Sequence, residues 1–280
     1  MAKVRDFMRP PGVEKVTLKR NMIIICAFLM ASIATIGQAQ VNQRVVDIPT
    51  RPDVTQRFVL LTPQQPGAAV VLFAGGHGGL QILPTGTFKW GEGNFLVRSR
   101  QLFAEQNLMV IVLDAPSDRQ SSPYLNGFRQ KREHVADIKT VIAWSRERAK
   151  VPVWLVGTSR GTQSAAFAAT QLTGPEGPDG LVLTSTILKD RGERPVCDLD
   201  LGKLKIPVLV VHHEYDDCGS CAFMDLPRLM ERLRHLPKKE LLAFKGGESL
   251  GNPCEPSAYH GFNGIEGEVV AKTAQWILAK

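Results

Sequence analysis

Val153-Trp154-Leu155-Val156-Gly157-Thr158-Ser159-Arg160-Gly161-Thr162 runs from an apolar, strand-like stretch, through a serine flanked by glycines, into an Ala-rich segment of helical period ending near Leu172. A serine so placed stands on a strained strand-to-helix turn with its hydroxyl exposed. Gly157 and Gly161 carry no Cβ where neighbouring backbone must approach. The helix N-terminus beneath the turn adds partial positive charge, and the Arg160 amide is placed to donate to a developing oxyanion. The plainer reading is a tight glycine turn with a capping serine. The strand-turn-helix context favours a nucleophile.

Outward from that turn the same alternation repeats. Apolar runs at 68–74, 108–113, 152–156, 180–184 and 206–211 read as strands buried on both faces. Segments 97–107, 133–150, 160–172, 223–236 and 266–279 carry apolar residues at helical spacing. Residues 45–61 read as one or two antiparallel edge strands turning around Pro49 to Asp53. The alternation predicts an α/β fold: a mostly parallel central sheet with helices on both faces and little or no lid. No repeat, low-complexity segment or linker divides residues 40–280, which read as one domain. At 44% hydrophobic and 22% charged, the composition excludes disorder, collagen and coiled coil.

A serine nucleophile needs a base, and the base an orienting acid. On a sheet of this type their chain order is serine, acid, histidine. Past the strand at 206–211, His212-His213-Glu214-Tyr215-Asp216-Asp217 offers three carboxylates. Asp216, four residues beyond His212, is the chosen acid. Asp217 and Glu214 are the alternatives, and a solvated turn residue is the plain reading of each. His260, in Tyr259-His260-Gly261-Phe262 before the closing helix, is the chosen base. His134 starts a helix, His235 ends one, and His212 and His213 lie at a strand end where histidines commonly pack. A second oxyanion donor is expected from Ala74-Gly75-Gly76-His77-Gly78-Gly79, with the Gly76 amide ahead of that of His77. That cluster lacks the spacing of a phosphate-binding loop. Asp114 precedes the serine in sequence and reads as a structural or pocket residue.

With these residues in place, the chain resembles the α/β-hydrolase fold superfamily. Within it, the chain is similar to small secreted or periplasmic bacterial hydrolases of the dienelactone hydrolase and carboxylesterase type. The glycine-rich loop at 75–79, Gly157 to Gly161, the strand end from Val211 to Asp216, and His260 to Phe262 carry the resemblance. It implies a serine hydrolase cleaving an ester through Ser159, Asp216 and His260, with the Gly76 and Arg160 amides as oxyanion hole and no cofactor or metal. Ala74 stands where the His-Gly-Gly-Gly loop of lipases and esterases has its histidine, a departure from that subtype.

The net charge of +7 points at first to a nucleic-acid or membrane partner. However, the N-terminus is basic, an apolar run spans Met22 to Met30, and Gly37-Gln38-Ala39 is a small-residue cleavage site. That is the pattern of a secretory signal cut after Ala39. The uncharged stretch from Asn21 to Gln43 also has the length of a membrane anchor, although its second half is small and polar. Residues 40–280 retain 28 basic and 25 acidic side chains, a net +3, so no nucleic-acid or stable membrane partner is expected. The expected compartment is periplasmic or extracellular.

Removing the signal removes Cys26 and leaves Cys197, Cys218, Cys221 and Cys254, an even set in an oxidising compartment. A Cys218–Cys254 bridge would tie the acid loop to the base loop, and Cys197–Cys221 would complete the set. Two rival readings use the same residues. Cys218-Gly219-Ser220-Cys221 follows a strand and precedes a helix, where a thiol–disulfide oxidoreductase carries its redox pair. His212, His213, Asp216 and Cys218 are a metal-ligand set, but disulfide and triad duty compete for them. A non-catalytic binding protein on the same fold is the remaining alternative. Segments 117–130 and 186–205 are the only covers of any length, which favours small soluble esters over lipids.

Overall fold

The computed structural model describes residues 41–279. The expected export signal, its cleavage point and Cys26 lie outside the described residues. Eight strands form one sheet in the order β1-β2-β4-β3-β5-β6-β7-β8. They are β1 (Gln43–Arg51), β2 (Val54–Leu61), β3 (Ala68–Phe73), β4 (Leu108–Leu113), β5 (Val153–Thr158), β6 (Gly180–Thr184), β7 (Val208–His213) and β8 (Lys239–Phe244). β2 pairs antiparallel with β1 and β4, and every other pairing is parallel.

The parallel strands are apolar throughout because both faces are covered. Successive side chains of β3 alternate between two cores: Ala69, Val71 and Phe73 on one face, and Ala68, Val70 and Leu72 on the other. The first face packs against α3 (Arg132–Ala149), α4 (Gly161–Gln171) and α5 (Leu226–Arg232). The second packs against α1 (Phe95–Arg98), α2 (Arg100–Glu105) and α6 (Glu266–Leu278). The expected doubly covered α/β sheet is therefore the observed one.

Several boundaries move. The helix expected over 97–107 starts earlier and divides at Ser99 into α1 and α2. The helix expected over 223–236 is confined to Leu226–Arg232, because Pro227 fits only its first turn. The strand expected at 206–211 begins after Pro207, which has no N–H to give a ladder, and continues through His212 and His213. β8 has no counterpart in the sequence reading. It is a half-exposed edge strand whose Lys239-Glu240-Leu241-Leu242-Ala243-Phe244 lacks the apolar run of its neighbours.

Strand order fixes where a ligand can sit. β3 lies between β4 and β5, so the connections leaving β3 and β5 diverge to opposite sides of the sheet. The crevice beyond the carboxyl ends of such a pair is the binding position of an open α/β sheet. The loop at 74–79 and the turn at 159–160 both open onto it.

Candidate active site

Ser159 follows β5 directly and has φ 51°, in the left-handed region a side chain rarely occupies. Three contacts hold it there. Its amide donates to the Thr184 carbonyl, and its own carbonyl accepts from the Thr162 amide at 2.9 Å and the Thr162 hydroxyl at 2.5 Å. The flanking glycines are sterically required. A Cβ on Gly161 would lie 2.0 Å from the Phe73 carbonyl oxygen, and one on Gly157 would lie 2.5 Å from the Gly161 oxygen. Helix α4 is thus drawn onto the ends of β3 and β5, and Ser159 is pushed outward.

His260 sits in a short helical turn at Tyr259–Gly261, 5% exposed, far along the chain from Asp216. Its Nδ1 donates to Asp216 Oδ2 at 2.9 Å. The Asp216 side chain is fully buried, and its other oxygen accepts the Cys218 amide at 3.0 Å. This leaves Nε2 of His260 as the free ring nitrogen. The competing carboxylates are elsewhere: Asp217 is exposed, and Glu214 pairs with Lys245 at 3.2 Å.

Ser159 and His260 line one cavity of about 320 Å³, together with Gly75, Gly76, Trp90, Asn94, Phe95 and residues of the 254–261 segment. They do not hydrogen-bond to each other, a common state of an unliganded site. Gly76 and Arg160, the expected oxyanion donors, keep amides without a protein acceptor among the described residues. The cavity wall carries no lysine or arginine, and its one carboxylate is that of Glu255.

The other histidines are structural. Buried His212 accepts the Thr186 amide on Nε2 at 2.6 Å, and burial pushes its pKa down to about 3. His213 bonds the Gly246 carbonyl and stacks on Tyr259. Buried His134 pairs with Ser164, and burial beside Arg129 and Arg51 lowers it to about 3. His235 bonds the Leu204 carbonyl, and His77 stacks between Trp90 and Tyr124. Asp114 is structural as expected, accepting the amides of Leu80, Gln81, Ile82 and Ala115.

Cys218 and Cys254 form the expected disulfide, joining the loops that carry Asp216 and His260. The second expected bridge is absent: Cys197 and Cys221 are both free and buried. They belong to different cores, Cys197 under α4 and α5, and Cys221 in a small cluster with Ile187 and Cys218. Because Cys218 is bonded to Cys254, the Cys218/Cys221 redox pair does not form either. Cys221 instead lies against the Ser159 hydroxyl, and burial holds its pKa well above the ordinary thiol value. The residues weighed as a metal set also separate, with His212 and His213 turned to backbone partners.

Sequence reasoning did not find Trp90, Asn94, Cys221 or Arg129 as site residues. The first two follow the glycine loop by more than ten residues, and no pattern marks them. Cys221 stood out only as a disulfide candidate and as half of a rival motif.

No family model and no curated protein matches the chain. Among solved structures, it is similar to an esterase from Pyrococcus furiosus (14% identity, 85% of this chain and 92% of that chain, TM-score 0.59). It is also similar to a dienelactone hydrolase from Anabaena variabilis (14%, 85% and 98%, 0.59). A cold-adapted esterase from an Arctic intertidal metagenomic library gives 15% identity, 86% and 94% coverage, and TM-score 0.58. At such identity the likeness is one of fold, and the fold is that of the α/β-hydrolases.

Proposed function

We propose that this protein is a serine hydrolase that cleaves small esters through an acyl-enzyme intermediate. One observation carries the reading: a serine forced to φ 51° at a strand end opens into the same cavity as a histidine already oriented by a buried aspartate.

In this mechanism His260 Nε2 takes the proton of Ser159 as its Oγ attacks the ester carbonyl. Asp216 fixes the tautomer, since Nδ1–H is committed to its carboxylate, and stabilises the imidazolium that forms. The Gly76 and Arg160 amides, together with the N-terminus of α4, take the oxyanion. His260 then returns the proton to the leaving alcohol, and water reverses the sequence to release the acid. The Cys221 thiol beside Ser159 stays protonated and does not compete as nucleophile.

The cavity volume and the absence of a large cover support short, soluble esters. The lack of lysine and arginine on its wall supports neutral rather than anionic ones. The Cys218–Cys254 bridge and the export signal read from residues 1–39 support a periplasmic or secreted enzyme. Among the described residues, no helix is long and apolar enough to cross a membrane.

The test is labelling by a fluorophosphonate probe together with turnover of p-nitrophenyl esters of varied chain length. Ser159→Ala is expected to abolish labelling, and Ser159→Ala and His260→Ala each to reduce turnover by roughly 10³-fold or more. Near-normal hydrolysis by Ser159→Ala would refute the reading.

A further inference from the structure

Arg129 is the largest fully buried side chain of the described residues. Burying a guanidinium is costly, and the usual compensation is a hydrogen-bonded carboxylate. Arg129 has none. Its Nη1 donates to Ser164 Oγ at 2.9 Å, and its Nη2 donates to the carbonyls of Ala74 at 3.3 Å and Gly76 at 3.0 Å. Glu193 is the carboxylate whose charge it feels, and Arg160 is the opposing cation.

These acceptors belong to two pieces of the site. Ala74 and Gly76 lie in the loop leaving β3, and Ser164 lies on α4, five residues beyond Ser159. Gly78 in the same loop has φ 76°, and a Cβ there would meet Arg129 Nη2 at 2.6 Å, so the loop is wrapped closely around the guanidinium.

We propose that Arg129 is a positioning residue that fixes the oxyanion loop against the nucleophile's helix, and this rests on the hydrolase reading above. The reason is peptide geometry. A trans peptide points its N–H opposite its C=O. Tying the carbonyls of Ala74 and Gly76 to one rigid fork sets the peptide planes on both sides of the Gly75–Gly76 bond. The Gly76 amide lies in the plane between them, and the two Cα atoms that carry that plane are held in place by the same fork. The same fork reaches Ser164, so the loop and α4 are referenced to one planar group. A lysine would supply the charge without that fork. The fixed positive charge behind the loop also favours the oxyanion over the neutral carbonyl, which is a transition-state effect and not a ground-state one.

The test uses the full chain with Arg129→Lys and Arg129→Met, assayed on p-nitrophenyl acetate. It adds affinities for a boronic acid, which mimics the tetrahedral adduct, and for acetamide, a neutral carbonyl compound that mimics the ground state. Melting temperatures of both variants are measured alongside. Arg129→Met is expected to lose about 10²-fold in kcat, the scale of one missing oxyanion donor, with KM within about threefold. Boronate affinity should fall by the same factor as kcat/KM while acetamide affinity holds. Arg129→Lys should keep its melting temperature nearer wild type yet recover only part of kcat. If Arg129→Met does not fold, the Lys variant decides.

Folded variants with kcat within twofold of wild type overturn the proposal. So does a parallel loss of boronate and acetamide affinity, which a merely structural arginine would give. Fluorophosphonate labelling of the wild type separates the two inferences. Unlabelled wild-type protein defeats the hydrolase reading, whereas labelled wild type with active Arg129 variants defeats this one alone.

Discussion

His134 and His212 make the protein's stability depend steeply on mild acid. Both are fully buried and neutral; His212 Nε2 accepts the Thr186 amide, and His134 Nε2 shares a hydrogen bond with the Ser164 hydroxyl. Protonating His212 would set two donors head to head at 2.6 Å. Protonating His134 would add a cation beside Arg129 and Arg51. Their folded pKa values, about 3 against 6.5 unfolded, mean that the unfolded chain takes up the protons first as pH falls. The stability they contribute is complete above 6.5 and is lost between 6.5 and 3. From pH 7 to pH 5, linkage removes about 2 kcal/mol per histidine, about 4 kcal/mol together, against a total of roughly 5–15. Buried Asp114 and Glu193, whose carboxyl pKa values burial raises, act in the opposite direction. The decisive quantity is therefore the difference from a variant. Urea unfolding of wild type and of His134→Gln/His212→Gln at pH 7, 6 and 5 supplies it, glutamine retaining an acceptor near the Nε2 position. The double variant should lose about 4 kcal/mol less than wild type over that range. Equal losses would show that the two histidines titrate normally, and the burial argument would fail.

Three other outcomes follow from the geometry. Gly161→Ala places a methyl 2.0 Å from the Phe73 carbonyl and should cost about 4 kcal/mol or more, read as loss of the native thermal transition. Cys254→Ser opens a bridge of sequence separation 36 and should lower unfolding free energy by about 3–4 kcal/mol, with added reductant bringing wild type down to the variant. With no cation on the cavity wall, monoesters of dicarboxylic acids should show kcat/KM at least about tenfold below that of their neutral methyl counterparts, a difference of about 1.4 kcal/mol. Equal rates on the two substrates would place a cation in the site.

Sheet and triad candidates were legible for one reason: each depends on residues whose type is forced. Strands covered on both faces must be apolar along their length, so β3 to β7 announce themselves. β8, exposed on one side, does not need to be apolar and was missed. Gly161 is dictated by the contact of α4 with Phe73, and Gly157 by its own contact with Gly161 and Thr162; the serine between them stands out by its place on that turn. The candidate acid and base were chosen by chain order and by their places after β7 and before the closing helix, while His212 and His213 were set aside at a strand end and His134 at a helix start, their burial being something no local pattern reveals. Cysteine pairing was half legible. Joining the acid and base loops identified Cys218 and Cys254, but parity alone suggested Cys197–Cys221, and the two lie in separate cores. Arg129 was invisible because it lies in a stretch that reads as a surface cover, and its partners are two backbone carbonyls and the Ser164 hydroxyl, which carry no sequence signature.

Two arginines fasten the loops of this site by gripping their backbone carbonyls. Arg129 holds the carbonyls of Ala74 and Gly76. Arg98 donates to the carbonyls of Gly93, Pro256 at 3.1 Å and Gly261 at 2.7 Å, and is itself fixed by Glu266 at 2.8 Å. Gly93, Pro256 and Gly261 all line the cavity, on segments more than 160 residues apart, and Gly261 adjoins His260. One guanidinium therefore sets the spacing between the loop that carries His260 and the segment of the cavity wall at Gly93. The Cys218–Cys254 bridge constrains the same segment covalently, from the acid side. Glycine-rich walls give a cavity with little side-chain substance of its own. Its shape then has to be imposed by groups that grip carbonyls, and a planar five-donor side chain can grip several at once where lysine offers a point charge. Substitutions at Arg98 should accordingly change KM and substrate-length preference, and those at Arg129 should change kcat, although neither side chain is placed to touch the scissile bond.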